Sequence, residues 1–358
     1  MRFLFKTEYR QDLRLFKHNG QRFWYAALAL LLIAAPFVIS EYYLLQLEYI
    51  IVYSIVGLGL MLLAGFTGQV SIGHAAFLAV GAYTEAILGN AGWPFPLSLL
   101  AALLVTALVG VIIGLPALRV RGIYLGIATI AFNFIVEEVI ARFTSVTGGN
   151  NGLTVKPASV FGWQMSSKVE FYFVALAILV LITILLLNLL RSPTGRAFIA
   201  IRDSEISAQS MGINLAYYKT LSFAVSAGIT GLAGALYAHL VGFLTPEQFT
   251  IIQSIELLIL IIIGGIGSIH GAFFGAFFYI ALLAGISNGK DLLPQWLQQQ
   301  TGLQPTIFGV VLVAFVLFEP LGLYGRWLKI RTYFDLLPFY RKSMYRRQKA
   351  FLKSERLR

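Results

Sequence analysis

The sequence contains no cysteine and little charge: 12% of its 358 residues are Asp, Glu, Lys or Arg. Without cysteine there is no disulfide scaffold, thiolate zinc site, cysteine-ligated iron–sulfur cluster or thiol nucleophile. Soluble domains carry about 25% charged residues. Half that share, beside 58% hydrophobic residues and a mean hydropathy of +0.79, excludes an ordinary water-soluble enzyme. The 34 glycines follow no three-residue period, so the chain is not collagen-like, and the apolar content excludes disorder. Only four histidines (His18, His74, His239, His270) are present, and no acidic cluster accompanies them, which leaves no metal site. No G-x-x-x-x-G-K-[ST], no strand-to-helix G-x-G-x-x-G and no H-E-x-x-H occurs. Any ATP hydrolysis therefore belongs to another chain. What remains is an all-α, polytopic membrane protein.

About 20 apolar residues cross a bilayer as a helix. Ten segments qualify: about 23–40, 47–65, 70–89, 97–118, 122–141, 170–190, 220–243, 252–267, 271–287 and 305–321. The third, eighth and ninth are interrupted or bounded by Gly68, Gly73, Gly264, Gly265 and Gly267. Irregular backbone at membrane depth is tolerated only where protein buries it or it lines a cavity, so a pathway is expected there. Basic residues set the orientation. With the N-terminus inside, residues 1–22, Arg119 with Arg121, 191–219 and 326–358 hold 23 of the 27 Lys and Arg. Only Arg142, Lys156, Lys168 and Lys290 fall outside. Both termini are thus expected in the cytoplasm, and the basic start before a span-length apolar run reads as an uncleaved first helix.

The net charge of +11 follows from these flanks and does not indicate nucleic acid. The expected division is a basic N-terminal segment at 1–22, a membrane domain at 23–322 and a basic tail at 323–358 beside anionic head groups. Glycines four apart (Gly110/Gly114, Gly122/Gly126, Gly267/Gly271/Gly275) predict close helix–helix approach. The stretch from His74 to Tyr83 echoes His270 to Tyr279 in four of ten columns, a match that chance gives easily in apolar sequence.

The loop 191–219 has helical punctuation of its own. Ser192 before Pro193 reads as a cap and first helical residue, Asp203 as the cap of a second short helix, Gly212 as a left-handed stop and Asn214 as the next cap. Ile206 and Met211 would be apolar knobs for a groove on a cytoplasmic partner.

The residues 202–213, Arg-Asp-Ser-Glu-Ile-Ser-Ala-Gln-Ser-Met-Gly-Ile, resemble the coupling loop of ABC-importer permeases at Arg202, Glu205, Ala208 and Gly212, with Ser207 departing from the usual alanine. Ala64 to Tyr83, with Thr67-Gly-Gln-Val-Ser-Ile-Gly-His74 at its centre, resembles the signature of the LivM/LivH branched-chain amino-acid permeases. Gly122-Ile-Tyr124, Thr129 to Phe132, Thr147-Gly-Gly-Asn-Asn-Gly152 with Leu153, Gly231 to Tyr237 and Gly264 to Ser268 follow in the family's order, over about residues 40 to 322. The likeness is nearest the LivM branch.

The resemblance implies a membrane subunit of an ATP-driven importer in a bacterial inner membrane, moving branched-chain or other hydrophobic amino acids. It implies a homologous second permease, two ATPase subunits that use ATP and Mg, and an extracytoplasmic binding protein; this chain itself binds no cofactor. Arg202, Asp203, Glu205, Ala208 and Gly212 would couple to the ATPases. A zwitterion in the membrane needs partners for both charges. Helix ends at glycine-broken turns supply N–H donors. Thr67, Gln69, Ser71 and His74 lie at such a turn, and Asn133 and Glu137 share a helix face, so these six are the pathway candidates. Thr147, Gly148, Gly149 and Asn150 are candidates for contact with the binding protein. A related permease for urea or small amides and acids, or a self-contained secondary transporter using Glu85 and Glu256, are the alternatives.

Overall fold

A computed structural model describes residues 19–118, 122–160, 163–165, 167–289, 303–319 and 321–336. Arg119, Arg121, Lys290, the basic residues before Asn19 and the tail beyond Leu336, all used above for orientation, lie outside the described residues. The chain is helical almost throughout: α1 Asn19–Val38, α2 Glu41–Leu60, α3 His74–Asn90, α4 Phe95–Ala117, α5 Ile123–Arg142, α6 Lys168–Arg191, α7 Pro193–Asp203, α8 Glu205–Ser210, α9 Leu215–Val241, α10 Ile251–Gly264, α11 Ile269–Gly289, α12 Leu303–Phe318 and α13 Gly322–Leu336. Each of the ten apolar segments contains a helix, the third and eighth only over part of their length. Among the described residues seven stretches are long and apolar enough to cross a membrane; the apolar stretches Arg22–Val38 of α1 and Thr306–Phe315 of α12, and helix α3, are shorter.

Two helices form the interior. The spanning stretches of α2 and α9 are 83% and 78% buried, whereas that of α6 is 22% buried and displays Val180, Leu181, Ile184 and Leu185 on its outer face. Helix α9 packs along α4, α3 and α2. Small residues permit this closeness. A Cβ at Gly81 of α3 would overlap the Gly231 carbonyl of α9, one at Gly234 the Leu78 carbonyl, and one at Gly231 the Thr106 hydroxyl of α4. Lipid offers no hydrophobic drive between helices, so contacts of this kind hold the bundle together.

Of the predicted close approaches, Gly110 and Gly114 meet α9, Gly126 meets Ile72, Gly271 meets the Gly265 carbonyl and Gly275 the Leu260 carbonyl. Gly122 meets nothing within 4 Å. Its φ of +57° makes it a turn residue before α5 rather than a packing one. Gly267, at φ +88°, likewise serves a turn.

The helices alternate in direction. One end of the bundle, the lower, gathers the segment 61–73, the helices α7 and α8, and the turn between α10 and α11. The upper end gathers the Asn90 region, residues 143–160 with 163–165, and residues 242–250. There β1 Leu153–Thr154 pairs antiparallel with β4 Phe243–Leu244, and β2 Ser159–Val160 with β3 Trp163–Gln164. The Asn90 amide fastens α3 to this cap by donating to the Thr154 carbonyl (2.8 Å) and accepting from the Lys156 N–H (3.1 Å).

Candidate functional site

The third apolar segment does not form a full-length helix. Helix α2 widens into a π turn, Met61–Phe66, and the chain then runs without regular structure from Thr67 to Gly73 before α3 begins. Gly68 turns the chain at φ +74°. Gly73 lies against the Thr129 backbone of α5 so closely that a Cβ there would overlap its carbonyl. The contacts of α3's first residues fix its depth. His74 meets Ser226, eleven residues above the start of α9, and Ala75 meets Ser254, ten residues before the end of α10. At 1.5 Å per residue α3 therefore starts about 15 Å above the lower end, near the middle of a bilayer-sized bundle.

Side chains from three other helices, α5, α9 and α10, receive it. The Ile72 N–H donates to Thr129 Oγ1 (2.9 Å) and the Ala75 N–H to Ser254 Oγ (2.9 Å), so two of the donors freed at the break are taken by protein. Ser254 passes its own hydrogen to Asn133 Oδ1 (3.0 Å), and the Asn133 amide donates to the Phe249 carbonyl (3.2 Å). Gln69 Nε2 donates to Ser222 Oγ (2.7 Å), whereas Gln69 Oε1 is buried with no partner among the described residues. The Thr67 hydroxyl turns back to the Leu62 carbonyl (3.0 Å).

The tautomer of His74 follows from its neighbours. Ser226 Oγ donates its single hydrogen to the Gly59 carbonyl (2.6 Å), so at 2.9 Å it can only accept from His74 Nε2–H. Nδ1 is then the acceptor for the Ser71 hydroxyl (2.9 Å). The ring is fully buried.

Of the six pathway candidates, the structure brings Thr67, Gln69, Ser71, His74 and Asn133 together around this break, all buried. Glu137 is half-buried one turn further along α5, outside the network; its neighbour Glu138 pairs with Arg142. Sequence reasoning missed Thr129, Ser222, Ser226 and Ser254. The signal was present: Ser222, Ser226 and Thr230 recur every four residues on one face of an apolar helix. It also left Glu85 unpaired, whereas Glu85 Oε1 accepts from Ser98 (2.7 Å) and lies 3.0 Å from His239 Nε2. Glu256 accepts from the Tyr279 hydroxyl (2.7 Å).

At the lower end the loop 191–219 forms α7 and α8. Ser192 caps α7 by accepting from the Gly195 N–H, and Asn214 caps α9 by accepting from the Tyr217 N–H (3.1 Å). Gly212 closes α8 at φ +83°. The cap of α8 is Ser204, which accepts from the Ser207 N–H (3.2 Å), and not Asp203. Asp203 is the last residue of α7, and its carboxylate takes both Nε and Nη2 of Arg202. Glu205 accepts from Lys219 Nζ (2.5 Å), and Ala208 is buried beneath α8. Ile206 (74% exposed) and Met211 (82%) point away from the bundle, the placement a docking surface requires. A groove beside them is lined by Leu118, Gln209, Ile213 and Lys219 among others.

At the upper end Thr147 is buried and its hydroxyl donates toward the Ile140 and Phe143 carbonyls while accepting from the Gly149 N–H. Gly148 and Gly149 take φ +74° and +57° and close the turn. Of the four candidates there, Asn150 alone is exposed.

Residues 42–318 match the family described as the permease component of branched-chain amino acid transport systems. The chain is 34% identical over 273 residues to the high-affinity branched-chain amino acid transport system permease protein LivM of Salmonella typhimurium, covering 69% of this chain and 64% of that protein. It is 28% identical over 308 residues to a probable branched-chain amino acid transport permease protein LivH of Methanocaldococcus jannaschii (80% and 94%). It is 27% identical over 217 residues to the autoinducer 2 import system permease protein LsrC of an Enterobacter species (59% and 61%). The match thus spans just under two thirds of the LivM relative. No solved structure matches the chain.

Proposed function

We propose, from the premise that the chain belongs to the family of permease components of branched-chain amino acid transport systems, that it is the membrane-spanning subunit of an ATP-driven ABC importer for branched-chain or other hydrophobic amino acids. The observation that carries this reading is the discontinuous span. A helix start at mid-depth, ringed by hydroxyls and amides, lies above a two-helix segment that presents Ile206 and Met211 outward. The first is what a zwitterion crossing hydrocarbon requires. The second is what an engine on another chain would grip.

The alternation of helix ends supports ten crossings, with both termini on the side of α7 and α8 and residues 23–322 as the membrane domain between basic flanks. By the distribution of Lys and Arg that side is the cytoplasm, and the family likeness makes the membrane a bacterial inner membrane. Two ATPases, using ATP and Mg, would dock on Ile206, Met211 and the groove around Gly212. Glu205 and Ala208 would hold that surface to α9. A LivH-like permease would complete the pathway, and a binding protein would approach the upper end near Asn150. Thr67, Gln69, Ser71, His74 and Asn133 shape the passage, most of them by fixing helices against one another, and Gln69 Oε1 is the acceptor left over for a substrate ammonium. Glu137 flanks the passage.

Purification of the tagged chain from its own membranes in mild detergent, with mass spectrometry of what accompanies it, tests the reading. Two P-loop ATPases and a second permease are expected, with ATP hydrolysis stimulated by binding protein loaded with leucine, isoleucine or valine. Stimulation by urea alone would move the substrate class. A chain that stays solitary where other complexes survive would favour a secondary transporter.

A further inference from the structure

We propose that Arg202 is the positioning residue through which movement of the α7–α8 segment reaches the discontinuous span, by holding the π turn Met61–Phe66 at its Gly65 carbonyl. The inference rests on the coupling reading above and assigns Arg202 a different task from docking. Ile206 and Met211 face outward, whereas Arg202 reaches inward from the last turn of α7.

Its five N–H donors are divided. Nε and Nη2 go to the Asp203 carboxylate (3.0 and 2.9 Å), and Nη1 goes to Gly65 O (3.2 Å). Asp203 thereby locks the plane of the guanidinium, and the locked plane aims one donor at the π turn. That carbonyl lies at the widened end of α2, where the regular ladder of helical hydrogen bonds is broken.

Two further contacts make the junction tight. A Cβ on Gly68 would lie 3.0 Å from Arg202 Cγ and 3.2 Å from its Cα, so the loop rests directly on the backbone of α7. The Gly267 N–H, at the turn between α10 and α11, donates to Met61 Sδ (3.2 Å) in the same π turn. The Gly265–Gly267 turn and the α2–α3 break are therefore joined at the point Arg202 holds. A displacement of α7 cannot leave that point in place without breaking the Nη1 bond. From there the loop leads in nine residues to His74, where α3 begins among Ser226 and Ser254.

The absence of native cysteine permits a direct test. Single cysteines are placed at Ser210, at the exposed end of α8, and at Val70, an exposed position of the loop (42%). The assembled importer is reconstituted, and maleimide labelling rates are compared without nucleotide and with ATP, Mg²⁺ and orthovanadate. In the parent background both rates change with nucleotide. In R202Q the Ser210→Cys rate still changes, the Val70→Cys rate no longer does, and uptake falls about tenfold while ATP hydrolysis continues. R202K, which keeps the charge but loses the planar fork, gives an intermediate loss and covers the case in which R202Q does not assemble.

A Val70→Cys response that persists in both variants overturns the proposal. A Ser210→Cys rate that ignores nucleotide in the parent background overturns the coupling reading itself, and the inference falls with it.

Discussion

At the scale of single residues the decisive groups are hydroxyls, each with one hydrogen to give. Ser226 gives its hydrogen to Gly59 and so can only accept from His74; Ser254 gives its hydrogen to Asn133 and so can only accept from Ala75. Replacing Ser226 with alanine leaves the buried His74 ring N–H without its acceptor. The expected cost is about 1–3 kcal/mol, read as a lower midpoint of thermal unfolding in detergent. An unchanged midpoint would mean that the ring N–H finds an acceptor elsewhere. Lys219 and Glu205 form a second such case, with side chains 5% and 24% exposed. Neutralising Glu205 alone strands a mostly buried ammonium, whereas E205Q with K219M removes both charges. The double variant should therefore assemble better than E205Q, and their yields of assembled complex measure the difference.

At the scale of elements, the sequence made the helices legible because lipid demands long apolar runs, and the glycines at 68 and 73 marked the broken span. It left open how far into the bundle the break reaches. That depth depends on which serine meets which residue across more than a hundred positions, and spacing along one helix carries no such information. Capping was legible at Ser192, Gly212 and Asn214 but shifted by one residue at Ser204, since adjacent Asp and Ser compete for the same role and Arg202 claims the carboxylate. Glycine pairs four apart were readable as a pattern, but only the packed structure separates Gly110, which meets a neighbouring helix, from Gly122, which sets a turn. Gly231→Val and Gly234→Val should each force α9 from α4 or α3. The expected result is loss of the folded monomer in fluorescence-detected size exclusion, with Gly285→Ala, which has open space, as the tolerated control.

At the scale of the whole molecule, the lower end is arranged as two layers. An outward apolar surface on α8 and its C-terminal turn lies over an inward set of polar ties. Substituting Ile206 with Glu should abolish recovery of the ATPases with the chain while leaving its own unfolding midpoint unchanged, because the side chain contributes little to the bundle. Recovery of the ATPases at parent levels would exclude this surface as the docking site. Sequence gave the existence of the segment and its family likeness. Ile206 and Met211 were legible there as outward knobs, whereas which residues face in depended on the tertiary packing of Ala208 and Phe198, both buried.

The central position of α9 also has a consequence for how the chain is made. Helices α2 to α4 leave the ribosome long before the helix they enclose. From Ala117, which completes α4, to Val241, which completes α9, the chain grows by 124 residues, about 6–25 s of synthesis. Throughout that interval the slot lined by Gly59, His74 and Thr106 has no occupant from its own chain. Nascent forms that end before α9 are thus the species most exposed to quality-control proteases in the membrane, and chains released just after Val241 should be the first to survive.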